Sequence, residues 1–168
     1  MKALLAIRPL FFVLFATAVA SMLFAVVFLQ QTLALNPCPL CITQRAFVIL
    51  VGVFALIAGI HNPQGWGRRT YALLCLLAAA GGAAVAGRHV WLQHLPEELA
   101  PACGPSLGYM LETFPLSETF QLIMMGDGNC AETMWTFLGF SIPEQTLALF
   151  VVLCVASLFQ LLRPAPAV

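Results

Sequence analysis

Charge is what this sequence has least of. Only 8% of its 168 residues are charged, seven Lys or Arg against seven Asp or Glu, where a water-soluble domain carries about 25%. Hydrophobic residues make up 61%, and the mean hydropathy is +0.96. That deficit excludes a conventional soluble domain: the solvent for most of the chain is lipid. Other absences are chemical. No flavin or nicotinamide fingerprint is present, and the Cys-x-x-Cys spacing occurs once. The three histidines, His61, His89 and His94, lack the paired spacing of a zinc site. The six methionines show no spacing that suggests metal export. No metal site and no nucleic acid partner is expected.

What the chain does have is four apolar segments, each near the roughly 20 residues that a helix needs to cross about 30 Å of hydrocarbon. They run from about Pro9 to Leu29, Ile42 to Ile60, Tyr71 to Ala86 and Gln145 to Leu162. Backbone in lipid must satisfy its own hydrogen bonds, so these segments are predicted as helices. The expected fold is an all-α membrane protein, a bundle of four transmembrane helices forming one domain over residues 1–168. External loops are expected at about 30–41 and 87–144. A cleaved signal peptide would have a shorter apolar core followed by polar chain. Here "AVAS" (Ala18 to Ser21) leads straight into "MLFAVVFL", so the first segment is expected to remain a span.

Basic residues orient this bundle. With four crossings, the N-terminus, the turn "HNPQGWGRRT" (His61 to Thr70) and the C-terminus share one side, which holds Lys2, Arg8, Arg68, Arg69 and Arg163. The other side has Arg45 and Arg88. All the acidic residues (Glu97, Glu98, Glu112, Glu118, Asp127, Glu132 and Glu144) lie between the third and fourth segments. The Lys/Arg bias predicts that both termini are cytoplasmic and that the long second loop is external.

Cys38, Cys41, Cys103 and Cys130 then face the compartment where disulfides persist. Cys75 and Cys154 fall within apolar helix sequence and read as small core residues. In "NPCPLCITQR" (Asn36 to Arg45), a disulfide between Cys38 and Cys41 would close a loop too short to be a useful staple. As half of a zinc site the pair lacks a second half. A redox-active dithiol is the favoured reading, because Cys-x-x-Cys motifs make their disulfide reducible. Pro39 predicts a helix start around Pro39 to Ile42. Cys41 then sits in the first turn, where a thiolate meets the positive end of the helix dipole. Arg45, four residues on, shares its face one turn deeper. It either snorkels to the interface or stabilises a thiolate or an anion on a bound electron acceptor.

Cys103 and Cys130 lie in turn-like sequence rich in Gly and Pro, "APACGPSLGYM" and "MGDGNCAETMW". Their loop is long enough to suggest a role of its own. Within it "FQLIMM" (Phe120 to Met125) predicts a short helix, either on the membrane surface or packed against the bundle. The count of four external cysteines leaves three pairings open. Trp66, Trp91 and Trp135 read as an aromatic belt, and Gly81-Gly82 as a site of close helix packing.

Taken together, "PCPLCITQR", the loop cysteines Cys103 and Cys130, "GDGNCAETMWTFLGFSIPEQ" (Gly126 to Gln145) and four crossings resemble the disulfide bond formation protein B family, bacterial inner-membrane thiol:quinone oxidoreductases. The resemblance implies disulfides Cys38-Cys41 and Cys103-Cys130 in a relay. A reduced periplasmic partner of the DsbA type attacks the Cys103-Cys130 disulfide, and Cys103 takes up the mixed disulfide. Cys130 then pairs transiently with Cys38, freeing Cys41. Cys41 stacks against or adds to a quinone, ubiquinone or menaquinone, held near Arg45. His89 is a candidate second donor to the quinone, because it is expected just beyond the third helix; a solvated interfacial histidine is the commoner alternative. The chain departs from better-known members around His89 to Leu99, and it has Pro39-Leu40 between the first cysteines.

Two other readings compete. A vitamin K epoxide reductase type shares the four-helix, Cys-x-x-Cys logic, but its loop cysteines come before the Cys-x-x-Cys pair. A four-pass structural or adhesion protein with a disulfide-stapled loop leaves Cys38, Cys41 and Arg45 without a purpose.

Overall fold

The structure, a computed structural model, describes residues 7–96, 107–126, 128–131, 133 and 135–163. Lys2, Glu97, Glu98, Cys103, Asp127 and Glu132 of the sequence reading lie outside them. Helix α1, Ile7–Leu23, runs without a break into a π-helical segment, Phe24–Thr32. Its polar residues are satisfied internally, as lipid requires: the Thr17 hydroxyl donates to the Val13 carbonyl and that of Ser21 to Ala18, both at 2.9 Å.

Helix α2, Pro39–His61, starts where the prolines dictate. Pro39 takes the first helical position, where a missing N–H costs nothing, and Cys38 caps it in an extended conformation. Asn62, left-handed at φ 48°, ends it. Helix α3, Trp66–Gln93, is longer at both ends than the apolar stretch from Tyr71 to Ala86. Hydropathy falls at Arg68-Arg69 and at Gly87-Arg88, whereas the helix continues through both. His89 therefore lies within α3 and is buried, rather than following the helix.

Between α3 and the last helix come α4 (Leu107–Thr113), α5 (Leu116–Met125), α6 (Gly128–Ala131) and a hairpin of β1 (Thr136–Phe137) and β2 (Phe140–Ser141). The hairpin turns at Leu138 and Gly139, both at positive φ (53° and 86°). Helix α7, Ile142–Leu162, opens with Pro143 in its first turn and the Glu144 carboxylate accepting from the Ser141 N–H at 2.7 Å. Four helical stretches, Arg8–Thr32, Pro39–His61, Trp66–Gln93 and Ile142–Leu162, are long and apolar enough to cross a membrane.

Each spanning helix packs on the next in order, most extensively α3 on α7, while α7 touches α1 only slightly. Phe11, Leu14, Val51, Ala55, Ala72, Cys75, Ala79, Phe150 and Leu153 form the buried centre, with Cys154 half-buried against it. Small residues set the spacing. A Cβ on Gly82 would run into the Phe150 ring, and one on Gly81 would lie 2.7 Å from that of Phe47.

The two ends of the bundle differ. At one, the Arg8 Nε donates to the Gly59 carbonyl at 3.1 Å and the Arg68 guanidinium to the Arg163 carbonyl, so both described termini lie at that end. At the other, Arg88 of α3 donates to the carbonyls of Met124 and Met125 at 3.0 and 3.3 Å, with its guanidinium 4.2 Å from the centre of the Trp91 ring. Helix α5 is thereby held to the bundle. Ile123 and Met124 pack beside Leu40 and Leu92, while Leu116 and Met125 stay exposed. Gly126 (φ 79°) lets the chain pass so close to Leu92 that a Cβ there would collide with it. The next turn, α6, carries Cys130.

Candidate functional site

The top of α2, the middle of the long loop and the upper part of α3 converge on sulfur. The Cys38 and Cys41 Sγ atoms stand 3.1 Å apart, with the Cys41 N–H donating to Cys38 Sγ at 3.3 Å, a consequence of Cys38 serving as the cap. The Cys130 thiol, fully buried, hydrogen-bonds with that of Cys38, and both belong to a small cluster with Leu40, Val85 and Leu92. Contact with Cys130 first, then with Cys41, and then burial push the Cys38 thiol up, so it holds its proton. His89 Nε2 lies 3.8 Å from Cys38 Sγ. Its Nδ1 lies 3.1 Å from the side-chain amide of Gln44, itself buried.

Cys41 is half-buried and opens on a cavity of about 220 Å³. Met22, Val48, Trp135 and Leu149 give it apolar walls; Gln44, Arg45, His89 and Gln145 supply polar groups. Arg45 is held from behind, donating to Gln30 Oε1 at 2.7 Å and to the Ala25 carbonyl at 3.2 Å. Both partners come from the π-helical segment, a type of distortion often found at functional sites. Trp135 packs against the stacked rings of Phe24 and Phe28 of that segment and stacks on Phe137 of the hairpin.

Five of the six site residues expected from the sequence, Cys38, Cys41, Arg45, His89 and Cys130, thus gather at one end of the bundle; Cys103 lies outside the described residues. Burial removes the solvated reading of His89. The sequence reading missed Gln44, Gln30 and Trp135. Gln44 carried a signal, being an amide within an apolar span, three residues after Cys41 and so on its face. Trp135 looked like one more belt residue. Nothing in the sequence marked the π-helical segment.

The family model of disulfide bond formation protein DsbB matches residues 7–160. The chain belongs to the DsbB family. Among DsbB-family relatives, disulfide bond formation protein B of Saccharophagus degradans is 51% identical, over 91% of this chain and 92% of its own. That of a Psychrobacter species is 47% identical over 97% and 96%, and that of Nitrosococcus oceani 46% over 95% and 94%. Like other DsbB-family members, the protein is a disulfide-generating membrane oxidoreductase, and electron transfer to quinone is the general function of the family. This places the Cys-x-x-Cys geometry in a redox enzyme and removes the adhesion and vitamin K epoxide reductase alternatives.

Proposed function

We propose that the protein reoxidises a DsbA-type periplasmic dithiol oxidase and passes the electrons to a membrane quinone bound in the cavity beside Cys41 and Arg45. The observation that carries this reading is the position of Cys130, in contact with Cys38 while Cys41 faces the cavity. A thiolate attacks a disulfide through the sulfur it can reach, and Cys130 reaches Cys38.

In this reading the partner's thiolate attacks Cys103 of a Cys103-Cys130 disulfide, forming a mixed disulfide and releasing the Cys130 thiolate. Cys130 attacks Cys38; a Cys38-Cys130 bond forms, the Cys38-Cys41 bond breaks, and Cys41 leaves as a thiolate. When the partner's second thiol displaces Cys103, Cys103 takes Cys130 back and Cys38 is released as a thiolate; Cys38 and Cys41 then give up two electrons to the quinone as they re-form their disulfide. The net yield is one disulfide in the partner, with two electrons and two protons delivered to the quinone. A strongly oxidising partner needs a stronger acceptor, and a lipid-soluble one can enter from the bilayer.

The lining suits such a ring. Apolar walls exclude water, and Arg45, preset by Gln30 and the Ala25 carbonyl, is the cation where negative charge develops on a ring oxygen. His89, beside Cys38 and held by Gln44, borders both the sulfurs and the cavity. The arginine-rich end of the bundle supports an orientation with both termini cytoplasmic and the cysteines periplasmic in the bacterial inner membrane. The test is direct: purified protein, given quinone and a reduced DsbA-type oxidase, forms a mixed disulfide at Cys103 and makes quinol. Absence of both defeats the reading.

A further inference from the structure

Cys38 Sγ, Cys41 Sγ and a ring nitrogen of His89 all lie within 4.8 Å of one another. Three soft or borderline ligands converging from two helices is more than a dithiol relay requires. In a tetrahedral zinc site, with Zn–S about 2.3 Å and Zn–N about 2.0–2.1 Å, ligand atoms stand roughly 3.5–3.8 Å apart. Cys38 Sγ and His89 Nε2 are at 3.8 Å already. The two sulfurs, at 3.1 Å, have to part by only about 0.7 Å to meet the tetrahedral separation. A second observation concerns the histidine. Metal-binding imidazoles are held through their other nitrogen, and Nδ1 of His89 has the buried Gln44 carboxamide at 3.1 Å. A carboxamide can meet Nδ1–H through its oxygen as readily as a bare Nδ1 through its nitrogen. An entry path exists as well, because all three residues line the cavity.

We infer that the dithiol state of this centre binds Zn²⁺ through Cys38 Sγ, Cys41 Sγ and His89 Nε2, with the fourth position facing the cavity, and that the disulfide state does not. Binding releases the two thiol protons and moves no electrons. Sulfurs engaged by the metal can neither attack nor leave, so Zn²⁺ arrests the relay whenever the centre is held reduced. The site is thereby gated by redox state: a disulfide between Cys38 and Cys41 removes both thiolate ligands at once.

The experiment is a Zn²⁺ titration of the full-length protein in detergent against a chromophoric zinc chelator, before and after oxidation. The reduced protein is expected to take one equivalent and the oxidised protein none. His89→Ala should weaken binding by at least about tenfold. His89→Cys, which replaces the lost ligand, should restore it and strengthen the thiolate-to-metal absorption of the Co²⁺ form. Cys130→Ser should still take one equivalent. Binding that survives oxidation, or that His89→Ala leaves unchanged, overturns the inference. Loss of binding in Cys130→Ser with none in His89→Ala would indicate a three-cysteine site and overturn it too. These readouts need neither quinone nor partner. Failure to bind zinc with normal quinol production defeats this inference alone, and the reverse outcome defeats only the relay.

Discussion

Cys38 and Cys75 are both buried cysteines on neighbouring elements of one bundle, and they are chemically unlike. Cys75, fully buried in the centre, has alanines around it and the Val51 carbonyl 3.9 Å from its sulfur. Cys38 has two further sulfurs, an imidazole and a cavity mouth within reach. Burial by itself makes a cysteine a small hydrophobe. What suits Cys38 to the proposed relay is the company of a second sulfur to bond with and a path by which reactants arrive.

Substitution at the two places should break the symmetry most visibly. Cys41→Ser is expected to lower quinol formation by about three orders of magnitude or more, because the electron pair loses its exit. Capture of the partner at Cys103 should persist, read as a mixed disulfide on non-reducing gels. Cys75→Ala should change turnover by less than about twofold; a loss comparable to that of Cys41→Ser would collapse the distinction. Arg45→His removes a permanent cation from the cavity wall. A hydrogen bond to a charged group is worth about 1.5–3 kcal/mol, so the KM for quinone should rise roughly ten- to a hundredfold without loss of mixed disulfide.

Gln44→Leu tests the rim more gently. It leaves His89 in place but unheld, and a drop of about tenfold in rate is expected, with little change in thermal stability. Gly82→Ala does the opposite, forcing a methyl into the Phe150 ring. Overpacking of this kind costs about 1–3 kcal/mol, so the midpoint of thermal unfolding in detergent should fall while the thiols of the folded fraction react normally. The smallest effect concerns order rather than extent. Among these three cysteines, iodoacetamide at neutral pH should label the reduced protein at Cys41 before Cys38, whose thiol is buried and pushed up by Cys130, and at Cys75 last. Raising the pH should narrow the gap between Cys41 and Cys38.

Much of this was legible in the sequence for a simple reason: lipid imposes strict rules. Four apolar stretches had to be helices, Pro39 pointed to a helix start around Pro39 to Ile42, and Gly81-Gly82 read as a site of close packing, where the rings of Phe47 and Phe150 lie. Cys41 and Arg45 shared a face by counting. The end of α3 was not legible, because hydropathy falls after Ala86 while the helix runs on to Gln93. This misplaced His89 by one structural element. Gln44 and Trp135 acquire their roles only from distant partners, His89 at 45 positions' remove and the π-helical turn that receives the indole. No local pattern encodes such pairings.

Four arginines of this protein, Arg8, Arg45, Arg68 and Arg88, donate to main-chain carbonyls, of Gly59, Ala25, Arg163, and Met124 and Met125. A bond to a carbonyl survives any change of side chain on the residue that owns it. Sequence drift at the accepting positions therefore leaves the brackets intact, whereas loss of a single guanidinium undoes one. For the arm that brings Cys130 to Cys38 this has a practical meaning. The side chains at 124 and 125 can change while Arg88 goes on gripping the same two peptide oxygens, so the placing of Cys130 does not hang on which residues stand there.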